Sequence, residues 1–311
     1  MLTKDTNETY GETLVRLGER RPNLVVVEAD LTKASGSLPF KLAYGNRFYN
    51  VGIAEQDLVS FAAGLSAVDK IPFASTFACF AAQRACDQAM NSVAYNAYNV
   101  KIVGTYAGLT SEKNGGTHIS VADLAIFRAM PNFTVIDPGD AIEFAQVLET
   151  AADNKGPVYI RSNKGVFPVF HNENYSFRLD KAEVLRDGSD VCLITTGITT
   201  YEGILAGKAA AEKGIQVHHI HVPVVKPIDV KAVVAGAEIA GGHVITVENH
   251  SVIGGLGGAV TEALSAHFPS RVTRLGLQDC FGETADLPYM MHKHGINAKG
   301  ILKKIITSIK L

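Results

Sequence analysis

Short apolar runs alternate with amphipathic helical stretches along almost the whole chain, the βαβ pattern of parallel sheets flanked by helices. The first series opens with a helix near Glu8 to Arg20 and a buried-strand run, LVVVEAD from Leu24 to Asp30, that ends on a carboxylate. FYNVGIAEQ, a helix over LVSFAAGLSAV, the strand IPFAS, a helix around Gln83 to Tyr95 and the strands VKIVGTY, FTVIDP and PVYIR follow, giving five or six strands. Between Gly165 and Asp190 turn formers and charges interrupt the pattern, which reads as a linker. A second series begins at VCLITTG (Val191 to Gly197), then a helix to Lys213, then IQVHHIHVPVV as one strand, a helix near Val230 to Ala240, HVITVEN, a helix after Gly258, TRLGL, and a helix around Lys299 to Ile309. The expectation is an α/β protein of two domains, residues 1–178 and 187–311, each a mostly parallel sheet flanked by helices.

Composition narrows the partners. With 29 Lys plus Arg against 31 Asp plus Glu, the formal charge of −2 leaves no basic excess for sequence-independent nucleic-acid binding. No apolar run reaches the roughly 18 residues of a membrane span, and the N-terminus lacks a signal-peptide pattern, so a cytoplasmic protein is expected. Cys79, Cys86, Cys192 and Cys280 match neither a metal nor a redox spacing and read as reduced, buried and inert.

Three segments of the first series place polar residues just past strand ends, where open α/β sheets form ligand crevices: Asp30, Glu55, and the loop from Tyr106 to His118. Glu55, in VGIAEQD, falls in the first turn of a helix, whose macrodipole favours a carboxylate there whether or not it has another task. Phe77 and Phe80 are spaced to form one aromatic wall, in a core or around a ligand. The glycine-rich loop carries Asn114, Gly115, Gly116 and His118, and loops of this length usually serve a function. His218, His219 and His221 alternate along a strand without carboxylates at ligand spacing, which argues against a metal site, and GGLGG at Gly254 is a weak phosphate-loop signal.

The order of these segments adds more. ADLT at Ala29, GIAEQ at Gly52, STFACF at Ser75, GGTH at Gly115, DLAIFRAMPN at Asp123 and VENHSVIGGLGG at Val247 together resemble the C-terminal part of transketolase over essentially the whole chain. QRACDQ is also similar to deoxyxylulose-phosphate synthase. The resemblance implies the small subunit of a split transketolase, carrying the pyrimidine-binding and C-terminal domains. It implies thiamine diphosphate as cofactor, with Glu55 hydrogen-bonding the pyrimidine N1′, Phe77 and Phe80 around the aminopyrimidine, and Asp30, Gly52 and Ile53 completing this side of the cofactor site. His118 would face the reacting C2 and the substrate carbonyl. Glu55 is expected to be buried without a cationic partner. No GDG occurs, so the Mg²⁺ and diphosphate ligands are expected on a companion N-terminal subunit in an α2β2 assembly, with none of the metal ligands here. The C-terminal domain is expected to lie away from the chemistry and to serve assembly.

Departures from that resemblance fall at substrate positions. Where transketolases read HDSIGLGEDGPTH, this chain reads YAGLTSEKNGGTH, so Tyr106 stands for a histidine and Asn114 for an aspartate. Asn7 replaces an expected arginine, and IRSNKG keeps Arg161 but offers Lys164 at the second basic position, a point charge in place of a bidentate fork. These five residues are the expected substrate contacts, and their pattern implies an atypical ketose phosphate donor such as apulose 4-phosphate. The alternatives are the β subunit of a thiamine-dependent 2-oxoacid dehydrogenase, a 1-deoxyxylulose-5-phosphate synthase-like enzyme, and a non-catalytic assembly subunit.

Overall fold

The computed structural model describes residues 2–309. Its strands, in chain order, are β1 (Thr3–Asp5), β2 (Leu24–Glu28), β3 (Phe48–Asn50), β4 (Ile71–Phe77), β5 (Lys101–Thr105), β6 (Thr134–Ile136), β7 (Val158–Ser162), β8 (Val166–Pro168), β9 (Glu183–Arg186), β10 (Val191–Thr195), β11 (Val217–His221), β12 (Val224–Lys226), β13 (His243–Ser251) and β14 (Arg271–Leu277). Seven of them form one sheet in the order β12-β6-β7-β5-β4-β2-β3, parallel except for β12. Five form a second sheet, β14-β13-β10-β11-β9, parallel except for β9. The expected α/β class with two helix-flanked, mostly parallel sheets is what the chain adopts.

Each sheet is covered on both faces, which is why strands such as LVVVE are buried at every position. On one face of the large sheet Tyr10, Leu14 and Leu17 of the helix Thr6–Arg20 meet Leu24, Val26, Phe73 and Phe144; on the other Leu58, Val59 and Ala62 of the helix Glu55–Ala67 meet Val27 and Ala74. The helix Thr6–Arg20 starts where Asp5 accepts hydrogen bonds from the amides of Asn7 (2.7 Å) and Glu8 (3.1 Å). From β2 the chain moves one way to β3 and then returns past β2 to β4, so a topological switch point opens at the carboxyl ends of β2 and β4.

Three expectations need correction. IQVHHIHVPVV is not one strand: Pro223 cannot extend the ladder, and Val224–Lys226 leaves the second sheet to pair antiparallel with Thr134–Ile136 of the first. The stretch read as a linker contains β8, paired with β1, and β9, paired with β11, so it is stitched to both lobes. Burial holds for Cys79 and Cys192, whereas Cys86 is half-buried and Cys280 exposed; all four are free thiols.

Candidate active site

Several of the residues singled out by the sequence lie just past the carboxyl ends of strands in the large sheet. Asp30 follows β2, Glu55 follows β3, Phe77 ends β4, Tyr106 follows β5 and Lys164 follows β7. The Phe77 ring packs tilted against Tyr106 at 4.6 Å and lies 5.9 Å from Phe80, and His118 meets both phenylalanine rings edge-on, at 6.1 and 5.2 Å. Lys164 Nζ lies 5.2 Å from the centre of the Tyr106 ring. Thr117 Oγ1 and His118 Nδ1 share a hydrogen bond of 2.9 Å. Asn50, absent from the residues singled out by sequence, fixes the neighbouring turns: its Oδ1 accepts from the amides of Asp30 (3.0 Å) and Gly52 (3.0 Å), and its Nδ2 donates to Asp30 Oδ1 (3.1 Å). Its place directly before VGIAE, at a strand end, was the available signal. Ile53 protrudes, largely exposed.

Glu55 is buried in the first turn of its helix, but the expectation of no cationic partner fails. Arg84 Nη1 donates to Glu55 Oε2 at 2.7 Å, and the same guanidinium lies 4.1 Å from the centre of the Phe80 ring. Arg84 closes the first of two π-helical stretches, Phe80–Arg84 and Gln88–Ala94, in the segment read as an ordinary helix from Gln83. Its placement shows that a flat group bearing N–H donors fits between Glu55 and Phe80.

The remaining expected substrate contacts are Arg161, Asn7 and Asn114. Arg161 is fully buried: Nε and Nη2 donate to Asp123 (both 2.7 Å), Nη1 to Asp137 (3.3 Å) and to the Asn249 carbonyl (3.0 Å). It is an internal counter-ion with its donors committed, which corrects its reading as a substrate ligand. Burial works against an ionised Asp123, yet Arg161 holds its carboxyl well below the usual range; for Asp137, burial outweighs the more distant arginine and its pKa rises to about 6. Asn7 donates from Nδ2 to the Ala34 carbonyl (3.0 Å), packing against the turn after β2. Asn114 bonds Ser111 Oγ (3.3 Å) on the loop and remains exposed.

That loop holds short 3₁₀ turns within Gly108–Asn114, broken by a kink at Glu112, and it is anchored in the second lobe. Leu109 and Ile119 join the core formed by Leu193, Val247 and Met290, Leu109 N donates to Asn249 Oδ1 (2.9 Å), and Leu287 N donates to Glu112 Oε1 (3.2 Å). The C-terminal lobe therefore holds the site loop, where distance from the chemistry was expected.

Elsewhere, tertiary structure supplies what sequence spacing did not. His221 Nε2 bonds Glu143 Oε2 (2.8 Å) and its Nδ1 bonds Thr200 Oγ1 (2.8 Å), while His171 of the connecting segment sits between Glu183 (2.9 Å) and Asp140 (3.0 Å). Glu143, His171 and His221 lie close enough to share a metal ion, but His221 and Glu143 are engaged with each other, and the group reads as a polar clasp between lobes. The GGLGG turn is likewise spoken for: Glu248 accepts the amides of Leu256 (2.7 Å) and Gly257 (2.8 Å) at the helix start a phosphate would need, and burial raises this carboxyl to about 7.

A doubly lobed α/β subunit with its crevice at the strand ends, an acid buried beside an aromatic wall, and a loop shared by both lobes is the class these observations define. Residues 3–169 match the family description "Transketolase, pyrimidine binding domain" and residues 180–301 match "Transketolase, C-terminal domain". The chain belongs to the transketolase family. It is 40% identical to the 6-deoxy-6-sulfo-D-fructose transketolase subunit of Clostridium sp. (strain MSTE9), covering 95% of this chain and 92% of that one. It is 34% identical to an apulose-4-phosphate transketolase subunit of Phocaeicola vulgatus, covering 97% of each. Among solved structures, one titled "Split gene transketolase, inactive beta4 tetramer" superimposes with a TM-score of 0.90 at 40% identity, covering 99% of this chain and 98% of that one.

Proposed function

We propose that this chain supplies the pyrimidine-binding half of a split transketolase and that it works with a companion subunit bearing the diphosphate and Mg²⁺ ligands. The observation that carries this is the contact chain from Glu55 through Arg84, Phe80, His118 and Phe77 to Tyr106 and Lys164 at the sheet's switch point. The relatives named as transketolase subunits match this chain over nearly their whole length, whereas it spans 48% of a deoxyxylulose-phosphate synthase to which it is 35% identical; this favours the present reading over that alternative and the 2-oxoacid dehydrogenase one, and the buried Glu55 favours it over a non-catalytic subunit.

Thiamine diphosphate supplies the carbanion stabilisation that lets a ketose C2–C3 bond break and a two-carbon ketol unit pass to an aldose phosphate. Glu55 would hold the pyrimidine N1′ by a hydrogen bond, and Arg84, which donates to Glu55 Oε2, would then have to yield or share that carboxylate. Phe77 and Phe80 would pack against the aminopyrimidine and shield it from water, with Asp30, Gly52 and Ile53 assigned to the same side of the cofactor. His118, edge-on to both rings, moves or holds the proton at the substrate carbonyl. Tyr106, Asn114 and Lys164 face the sugar, and the absence of an arginine fork points to a ketose other than xylulose 5-phosphate. Apulose 4-phosphate and 6-deoxy-6-sulfofructose are the candidates, since relatives carry those names. An α2β2 complex acting in the cytoplasm fits this reading.

Titration calorimetry of thiamine diphosphate and Mg²⁺ tests it, first with the chain alone and then with the companion subunit. Tight Mg²⁺-dependent binding in the mixture only is the expected result. Equally tight binding to the isolated chain overturns the half-site argument.

A further inference from the structure

Glu112 is held in the left-handed region of backbone space, with φ 51° and ψ −121°, inside the site loop. A side chain other than glycine is strained there, and such strain persists where the surroundings hold the residue for a purpose. Both of its carboxylate oxygens are used. Oε1 accepts from the Leu287 amide of the C-terminal lobe (3.2 Å), and Oε2 faces Lys164 Nζ at 3.5 Å. Lys164 is in turn placed by its own amide, which donates to Thr110 Oγ1 (3.2 Å), and its ammonium lies over the Tyr106 ring. Lys164 and Glu112 are each about one-third exposed, at 33% and 30%, so the pair opens onto the rim of the site.

We propose that Glu112 is a specificity-determining residue acting through Lys164: it offsets part of the lysine's charge, so the site favours a ketose whose far end carries one negative charge or none over one ending in a dianionic phosphate. This rests on the transketolase reading above and narrows its donor. The physics is direct. A carboxylate anchored beside the ammonium repels whatever anion the ammonium attracts, and the repulsion grows with the anion's charge, which for a phosphate monoester near neutral pH is roughly −1.5 to −2. A sulfonate carries a single charge and a hydroxyl none.

The test is a donor panel with the reconstituted two-subunit enzyme: fructose 6-phosphate, 6-deoxy-6-sulfofructose and fructose, compared by kcat/KM in the wild type, Glu112→Gln and Glu112→Gly. The glutamine retains an acceptor for Leu287 N, and the glycine removes the backbone strain. In both variants the phosphate-to-sulfonate ratio of kcat/KM is expected to rise roughly fivefold, the change residing in KM. An unchanged preference, or a loss of turnover on all three donors alike, overturns the proposal, the second outcome meaning that Glu112 only shapes the loop. Failure of the wild type to turn over any ketose, with cofactor demonstrably bound, overturns the transketolase reading and this inference with it.

Discussion

Replacing Arg161 with methionine separates a buried counter-ion from a substrate ligand. The side chain is of similar length and apolar, so packing is largely kept while the charge is lost. In the native chain this one guanidinium faces two carboxylates, Asp123 and Asp137, each at most 1% exposed, and also bonds the Asn249 carbonyl of the other lobe. Breaking a buried pair from one side costs about 3–5 kcal/mol, because the remaining charge has neither water nor partner. Tyr159 OH still donates to Asp123 (2.7 Å), which keeps the loss toward the lower part of that range. The sign of the pH dependence follows. The native Asp123 carboxyl is held below its ordinary range, a contribution present above the unfolded carboxylate value and lost on acidification through the folded one. Without Arg161 both carboxyls rise, and at low pH they are neutral and need no counter-charge. Urea denaturation followed by circular dichroism at pH 8 and pH 5 is the assay, and the destabilisation is expected to be larger at pH 8. A loss below about 1 kcal/mol at pH 8, or one that grows on acidification, refutes the reasoning, as does an Arg161→Met enzyme of native stability with a KM defect alone.

The clasp between lobes gives a second pH dependence of opposite sign. Burial opposes charge on His171, but Asp140, Glu183 and Glu143 around it raise its pKa from 6.5 to about 9. At 1.36 kcal/mol per unit that difference corresponds to at most about 3 kcal/mol, fully present below pH 6.5 and lost as pH rises through 9. A His171→Gln variant should lack the corresponding fall in melting temperature between pH 7 and 10, and an unaltered slope counts against the clasp. Glu55→Gln is expected to leave the melting temperature near native while lowering turnover of the reconstituted enzyme by about 10²- to 10⁴-fold; undiminished turnover removes Glu55 from the chemistry. Asn249→Ala orphans the buried Leu109 amide, costing about 1–3 kcal/mol. Hydrogen exchange should then quicken across Leu109 to Ile119 while β4 and β5 stay protected, and unchanged exchange in the loop shows that Asn249 does not anchor it.

The fold was legible where one strand's neighbours do not matter. LVVVE and VCLIT are short, largely apolar and rich in β-branched residues, which fits a strand covered on both faces, and the helices between such runs point to a parallel sheet. What failed were statements about distant partners. Val224–Lys226 has the composition of a strand, but nothing local says that it crosses to β6 in the other lobe. Arg161 was expected as a substrate contact because IRSNKG resembles the basic strand end of transketolases; that Asp123 and Asp137 enclose it depends on segments 38 and 24 residues away. The Arg84–Glu55 pair was hidden for a subtler reason. An α-helical reading of Gln83 to Tyr95 assigns Arg84 to a face by a period of 3.6, and a π-helical stretch rotates that assignment within one turn. The aromatic wall survived because Phe77 and Phe80 flank the strand end itself, where little winding has accumulated.

These failures share a direction, and it concerns the C-terminal lobe. Read from sequence, that lobe had no residue near the chemistry. In the fold its Asn249 and Leu287 hold the loop that carries Glu112 and His118, its β12 extends the large sheet beside β6, and its Asn249 carbonyl joins the ion cluster around Arg161. A site loop pinned from one side alone would sample many positions for His118 relative to the Phe77 and Phe80 rings, since Gly115 and Gly116 impose little on the chain between Glu112 and His118. Anchoring it at Leu109, Glu112 and Ile119 restricts those positions before any ligand binds, so less ordering is required when a substrate arrives. The lobe without chemistry of its own thus contributes preorganisation. On this argument, substitutions at Asn249 or in the 279–287 segment of that lobe alter the behaviour of the site without touching anything bound in it.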